Sequence, residues 1–276
     1  MPILVTGASG RVGGALSRQL TGRAELRLTG RGPGRVPLDF TDPRTFAAAL
    51  QGCDAMFLMR PPQMASGKAF APFLDAALRY GVHRVVLLSV RGAENNPLLP
   101  HHHVEQEVME RPFRWTMLRP ADFMQNLETV HLEDIRDRSR IAVPAGAGRS
   151  AFIDVEDVAA VAAMALLEEG HEGQGYTLTG REALSFHDVA AIMSEELGRP
   201  IAYHPRSIPR FIREQTASGT PLGMALVMSA LYTVQRFGGA AEVTHDVERL
   251  CCQPAGTLRA YVLRQAALWQ RQPVAS

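Results

Sequence analysis

The segment Gly7-Ala8-Ser9-Gly10-Arg11-Val12-Gly13 places a glycine at every third position, directly after the apolar run Ile3-Leu4-Val5. Glycine at such points lets a chain turn tightly out of a strand, lets backbone approach a ligand, and lets the next helix pack closely. The N–H groups that open that helix can then bind an anion. This chemistry suits the pyrophosphate of a dinucleotide, and Gly7, Ala8, Ser9, Gly10, Arg11, Val12 and Gly13 are its candidate contacts; a ligand-free strand-to-helix turn is the plain alternative. Arg31 stands 24 residues after Gly7, at the end of the next apolar run. A site for NAD(H) would normally carry an acidic side chain there for the ribose 2′-hydroxyl, whereas a guanidinium pairs with a 2′-phosphate. NADP(H) is therefore expected in preference to NAD(H), with Arg11 and Arg35 as helpers; the alternative for Arg31 is a solvated surface arginine.

These residues need elements to hold them. Apolar runs of strand length over 3–6, 25–29, 55–59, 84–89 and 115–118 alternate with helical patterns over 12–20, 44–50, 70–80 and 102–110, and a further helix begins near Asp122. Nearly all-apolar strands alternating with helices predict an α/β fold, a doubly wound parallel sheet of Rossmann type with helices on both faces. Beyond residue 140 the pattern changes to short strands over 140–143, 176–178 and 201–203, with helices over 155–168 and 186–197. The expected organisation is a dinucleotide-binding domain over 1–150 and a smaller, mainly helical substrate-side lobe over 151–276, with strands that can return to the first sheet. Residues 221–237, rich in Met, Leu, Val and Tyr, read as core or pocket wall, or as a subunit contact. Asp42-Pro43 reads as a helix cap followed by proline in the first turn, Asp154 as another cap, and Ser185 with Asp188 as a capping box.

Several further segments join the glycine loop in order: Leu38-Asp39-Phe40, Phe57-Leu58-Met59-Arg60-Pro61-Pro62, Gly92-Ala93-Glu94-Asn95-Asn96-Pro97 leading to His101-His102-His103-Val104-Glu105-Gln106, and Thr116-Met117-Leu118-Arg119-Pro120 with Phe123-Met124-Gln125-Asn126. Together they resemble the NmrA-like group of atypical short-chain dehydrogenases/reductases, which includes NAD(P)H-dependent quinone reductases and triphenylmethane-dye reductases. The resemblance spans about residues 2–200. It implies that Asp39 and Phe40 lie by the adenine, that Met59, Arg60 and Pro61 line the cofactor, and that Ser89 ends its strand near the nicotinamide. Phe40 and Met59 as core, and Ser89 as a satisfied strand-end hydroxyl, are the plain alternatives. Phe123, Gln125 and Asn126 are candidates for the substrate pocket, with the two amides facing a substrate carbonyl or, alternatively, hydrogen-bonding at a helix start.

Most short-chain dehydrogenases use a Tyr-x-x-x-Lys pair, in which lysine lowers the tyrosine pKa for proton exchange with the substrate. None of Tyr80, Tyr176, Tyr203, Tyr232 or Tyr261 has a lysine four residues on, and Lys68 is the single lysine of the chain. In relatives with a catalytic lysine, that residue lies four positions before a glutamate corresponding to Glu105, where this chain has His101. Imidazole titrates near neutrality, so His103 and His101 are the candidate proton donors, against the alternative of a solvated histidine run. A quinone, flavin-like or cationic-dye acceptor needs little such help, because hydride transfer to an electron-poor centre depends chiefly on proximity and orientation.

A net charge of +1 with no dense basic block gives no source for phosphate-backbone attraction, so nucleic acid is not an expected partner. Cys53, Cys251 and Cys252 lack the spacing of a zinc site or a disulfide framework, and no metal is expected. The glycine loop so close to Met1 leaves no room for a leader segment, and no apolar run approaches membrane-spanning length. A cytoplasmic monomer or homodimer acting on a small molecule is the expectation. Two readings stand: a reductase passing hydride from NADPH to a quinone-like or other conjugated acceptor, and a non-catalytic NADP(H) sensor that contacts a regulatory protein, with epimerase chemistry behind both.

Overall fold

The computed structural model describes residues 2–61, 64 and 67–270 and divides the chain into two compact units. Pro62, the last residue of one of the quoted motifs, lies outside the described residues.

The first unit, formed by Met1–Pro120, Val155–Leu178 and Asp246–Gln253, is built on six parallel strands. They are β1 (Ile3–Val5), β2 (Leu26–Leu28), β3 (Ala55–Met59), β4 (Arg84–Leu88), β5 (Arg114–Pro120) and β6 (Gln174–Leu178), in the spatial order β2-β1-β3-β4-β5-β6. All five residues of Ala55–Met59 are apolar and four are buried, as a strand covered on both faces requires. One face carries helix Arg11–Leu20, which packs against helix Val155–Leu167 and donates from Gln19 Nε2 to the Glu156 carbonyl at 3.0 Å. The other face buries a cluster that includes Phe40, Phe46, Phe70 and Phe73, whose rings meet at 4.8–5.2 Å. Removing a ring such as that of Phe73, which is fully buried, costs about 3–5 kcal/mol.

The second unit comprises Ala121–Asp154, Thr179–His245 and Pro254–Ser276. Its core gathers Ile135, Phe186, Met193, Phe211, Tyr261 and Trp269, and the Trp269 indole N–H donates to the Leu127 carbonyl at 3.1 Å. Two short ladders stiffen it, Arg140–Ile141 with Ala202–Tyr203 and Arg149–Ser150 with Leu184–Ser185. Where the sequence reading sets one boundary after residue 150, the chain crosses between units several times: residues 155–178 supply a covering helix and the edge strand β6 to the first sheet.

Some elements differ from expectation for local reasons. β5 runs on through Arg119 and Pro120, because pairing with β6 extends to Pro120 opposite Leu178. After Asp122 the chain forms a 3₁₀ turn, Met124–Glu128, and becomes α-helical only at Leu132–Arg138. Asp42 caps its turn by accepting from the Arg44 N–H, and Ser185 with Asp188 forms a reciprocal capping box. Among the described residues no helix is long and apolar enough to cross a membrane.

Candidate cofactor and substrate sites

The strand order reverses between β1 and β3, since the chain steps from β1 to β2 on one side and returns to β3 on the other; ligands of open parallel sheets bind outside the carboxyl ends at such a point. Thr6 fastens the two strands there. Its hydroxyl donates to the Phe57 carbonyl at 3.0 Å and accepts from the Met59 N–H at 2.8 Å. The chain then turns through Gly7 in the left-handed region (φ +63°), and Gly10 N–H donates back to the Gly7 carbonyl at 2.8 Å. A methyl group at Gly13 would fall on that same carbonyl, and one at Gly7 on the Met59 methyl. Gly10 caps helix Arg11–Leu20 in an extended conformation with no side-chain cap, so the loop offers a bare helix start. Ala8 and Val12 are buried beneath it, while Ser9, Gly10 and Arg11 are exposed.

The end of β2 lies against this loop. Ala8 N–H donates to the Thr29 carbonyl at 2.9 Å, and a methyl at Gly30 would stand 2.8 Å from Ser9 Oγ. Arg31 follows Gly30 and is exposed. The side chain of Arg35 folds over Gly32, and its Nη1 is buried without a hydrogen-bond partner among the described residues. A glycine cradle that side chains would fill, a bare helix start and an orphaned guanidinium nitrogen fit a dinucleotide carrying a 2′-phosphate.

The other expected cofactor contacts divide. Asp39 is exposed, and its carboxylate accepts from the Thr41 hydroxyl (2.7 Å) and N–H (2.8 Å), which hold its pKa below the ordinary value. Phe40 is buried, its ring spent on packing with Phe70 and Phe73. Met59, Arg60 and Pro61 leave β3 half-buried. Arg60 Nε approaches His101 Nε2 at 3.5 Å, and desolvation pulls the guanidinium pKa down. Burial first and the Arg60 charge second press His101 down to about 4, against the opposing pull of Glu105, so its imidazole is neutral near pH 7. His103 is exposed, with its Cβ and backbone over Gly67, while His102 Nδ1 meets the Ala93 carbonyl at 2.7 Å.

Ser89 is buried at the end of β4, and its hydroxyl donates to Glu105 Oε1 at 2.5 Å. Glu105 is 1% exposed and takes a two-pronged contact from Arg119, Nε to Oε1 at 3.0 Å and Nη2 to Oε2 at 2.7 Å; Glu94 stands 3.3 Å from the same guanidinium. This buried network fixes the Ser89 hydroxyl. Glu105 escaped the sequence reading as a site residue, although its spacing of four from His101 puts both on one helix face.

In the second unit, Phe123 and Asn126 line a cavity of about 170 Å³ together with His131, Phe186, Tyr232 and Gln235. Gln125 does not line it: its amide donates to Asp154 Oδ1 at 2.7 Å, and Asp154 is also ion-paired with Arg264. Full burial presses His131 down to about 4, and its Nε2 lies 3.1 Å from the Tyr232 hydroxyl, which burial pushes far up. Sequence reading did not single out His131, Tyr232 or Gln235. Met228, Leu231, Tyr232 and Gln235 nevertheless fall at i, i+3, i+4 and i+7 of helix Leu222–Arg236, and a glutamine in such a stripe was the legible signal.

A model of the NmrA-like family matches residues 23–260. The NAD(P)H azoreductase of Xenophilus azovorans is 32% identical, over 96% of this chain and 98% of its own length. Among solved structures, the fold is shared with the NADPH-dependent quinone oxidoreductase from Escherichia coli in complex with NADPH (TM-score 0.86, 22% identity, 96% of this chain and 100% of that one). It is shared also with the Citrobacter sp. triphenylmethane reductase complexed with NADP(H) (TM-score 0.79, 23% identity, 96% and 100%).

Proposed function

As this chain belongs to the NmrA-like family, we propose that it is an NADPH-dependent reductase acting on a quinone-like or other conjugated, electron-poor small molecule. The observation that carries the reading is the bare start of helix Arg11–Leu20 in its glycine cradle, with an Arg35 whose buried Nη1 has no hydrogen-bond partner among the described residues. The azoreductase, quinone oxidoreductase and triphenylmethane reductase it resembles are named for three acceptors that share conjugation and electron deficiency.

In this reading the N–H groups of Arg11 to Gly13 hold the pyrophosphate, and Arg31 and Arg35 hold the 2′-phosphate. Met59, Arg60, Pro61 and Ser89 orient the nicotinamide end, with Glu105 positioning the Ser89 hydroxyl. A bound dihydronicotinamide supplies the hydride, that is, two electrons and one proton. His101, kept neutral by burial and Arg60, serves as a hydrogen-bonding wall rather than as an imidazolium acid, so the second proton of a quinone reduction comes from solvent. Phe123 and Asn126 contribute to the acceptor pocket. The loss of NADPH absorbance tests this with duroquinone, a neutral azo dye and a cationic triphenylmethane dye. Turnover on at least one is expected. Tight binding of both NADP⁺ and NADPH with turnover on none would replace the reductase by a redox sensor.

A further inference from the structure

Helix Leu222–Arg236 buries one stripe and leaves the rest uncovered. Ala225, Ser229 and Gln235 are buried, and Tyr232 packs against the core of the second unit. On the opposite side Leu226, Val227, Leu231 and Val234 are each 50–56% exposed, and Phe237, just past the helix end, is 80% exposed. Arg236 is the only charged residue of the helix. Surface helices turn a charged or polar face to water, and a helix that is apolar on every side is one that another surface covers. Five side chains of this size, half or more exposed, present on the order of 600 Å², the upper end for the largest apolar patch of a monomer. With their apolar neighbours on the helix they come near the about 800 Å² that each partner of a standard interface contributes.

The face is also shaped to meet itself. Gly223, Val227, Ala230, Val234 and Phe237 recur at intervals of four and three, the spacing of a seam that packs knobs into holes against another helix. Gly223 and Phe237 lie seven residues to either side of Ala230, and Val227 and Val234 three and four. A Cβ added at Gly223 would meet nothing within 4 Å, so this glycine is an open gap at one end of the seam, and Phe237 is a projecting ring at the other. A two-fold axis at Ala230 sets ring over gap twice, with the valines between, which is the self-complementarity that two-fold contacts require. Charge decides among the occupants. A helix lying on a membrane surface carries Lys and Arg along its polar flank and a charged partner needs charges to match, whereas the core of a homodimer interface is depleted of them.

We propose that this face is the contact surface of a homodimer: a second copy of the chain lies antiparallel across helix Leu222–Arg236, about a two-fold axis at Ala230, with each Phe237 ring seated on the partner's Gly223. The contact needs neither dinucleotide nor acceptor, so it stands or falls apart from the reductase reading.

The test is sedimentation equilibrium of the full chain, with circular dichroism to confirm that each variant is folded. The wild type is expected to sediment at twice the chain mass, with a dissociation constant of about 1 µM or lower, as interfaces of this size show. Val227→Lys, at an exposed position where the monomer tolerates a charge, is expected to raise that constant at least about thirtyfold, because the dimer then buries an unpaired ammonium. Val227→Lys combined with Val234→Glu in one chain is expected to recover most of the loss. Antiparallel pairing sets each new lysine beside a new glutamate of the other copy, whereas parallel pairing sets like charges together. Phe237→Ala is expected to weaken the dimer about tenfold or more. Leu263→Lys, at an equally exposed leucine of helix Leu258–Gln265, is expected to leave it unchanged. A wild type that is still monomeric at about 100 µM, beyond the range of such interfaces, overturns the proposal, and if that monomer floats with phosphatidylglycerol vesicles the face belongs to a membrane instead. A dimer that Val227→Lys and Phe237→Ala leave intact, or one that the double variant does not recover, overturns it as well.

Discussion

Arg35 leaves a guanidinium nitrogen buried and without a hydrogen-bond partner among the described residues, an expensive condition unless a ligand relieves it. Charge-assisted hydrogen bonds to phosphate contribute about 1.5–3 kcal/mol each. Arg35→Ala should therefore weaken NADPH binding roughly ten- to hundredfold by that scale and leave NADH binding nearly unchanged; an equal loss for both would place Arg35 away from the 2′-phosphate. His131 gives a pH prediction. Its imidazole is held at about 4 in the folded protein against an ordinary value of 6.5, so between those values the unfolded chain carries more protons. Stability then falls as pH drops, by about 2 kcal/mol between pH 7 and 5 from this residue. Urea unfolding of the wild type and His131→Phe at both pH values checks it: the variant should lose less stability on acidification by that amount, and parallel losses would refute the assignment. At this scale the sequence was only partly readable. The glycine loop announces itself by type and spacing, whereas the ring of Phe40 and the amide of Gln125 are claimed by Phe70, Phe73 and Asp154, partners far away in the chain.

The elements were more legible, because a parallel sheet covered on both faces writes itself as apolar runs. β3 has the expected limits, and helix Phe186–Leu197 begins and ends as its capping box and Gly198 dictate. What periodicity could not convey was which runs pair: β6 comes from residues 174–178 and joins the first sheet next to β5, a long-range choice made by edge hydrogen bonds. The contact between the first helix and the loop after β1 has its own test. Gly13→Ala puts a methyl group on the Gly7 carbonyl, so the helix start must shift. The variant should lose about 1–3 kcal/mol of stability, as overpacked sites do, and bind NADPH and NADH more weakly by a common factor. Thermal unfolding and calorimetry measure both, and full retention of dinucleotide affinity would remove the loop from the site. Gly14→Ala is the control, since its methyl meets nothing closer than 3.6 Å.

For the whole molecule, family membership and fold agree with the alternating grammar of the N-terminal half, and the resemblance read over residues 2–200 extends in the family match to residue 260. The cavity of the second unit was the least legible part, because Phe123, Phe152, Phe186 and Gln235 come from four separate segments that no local spacing connects. The interleaved units have the same origin, since segments returning to the first sheet are distinguished only by what they pair with. In the proposed function the activity depends on backbone amides at the first helix start holding a phosphorylated dinucleotide. Calorimetric titration of the purified protein with NADPH and with NADH tests this most directly: saturable binding at one site per chain is predicted, tighter for NADPH by about tenfold or more on the scale of charged hydrogen bonds, and the absence of binding by either dinucleotide would contradict it.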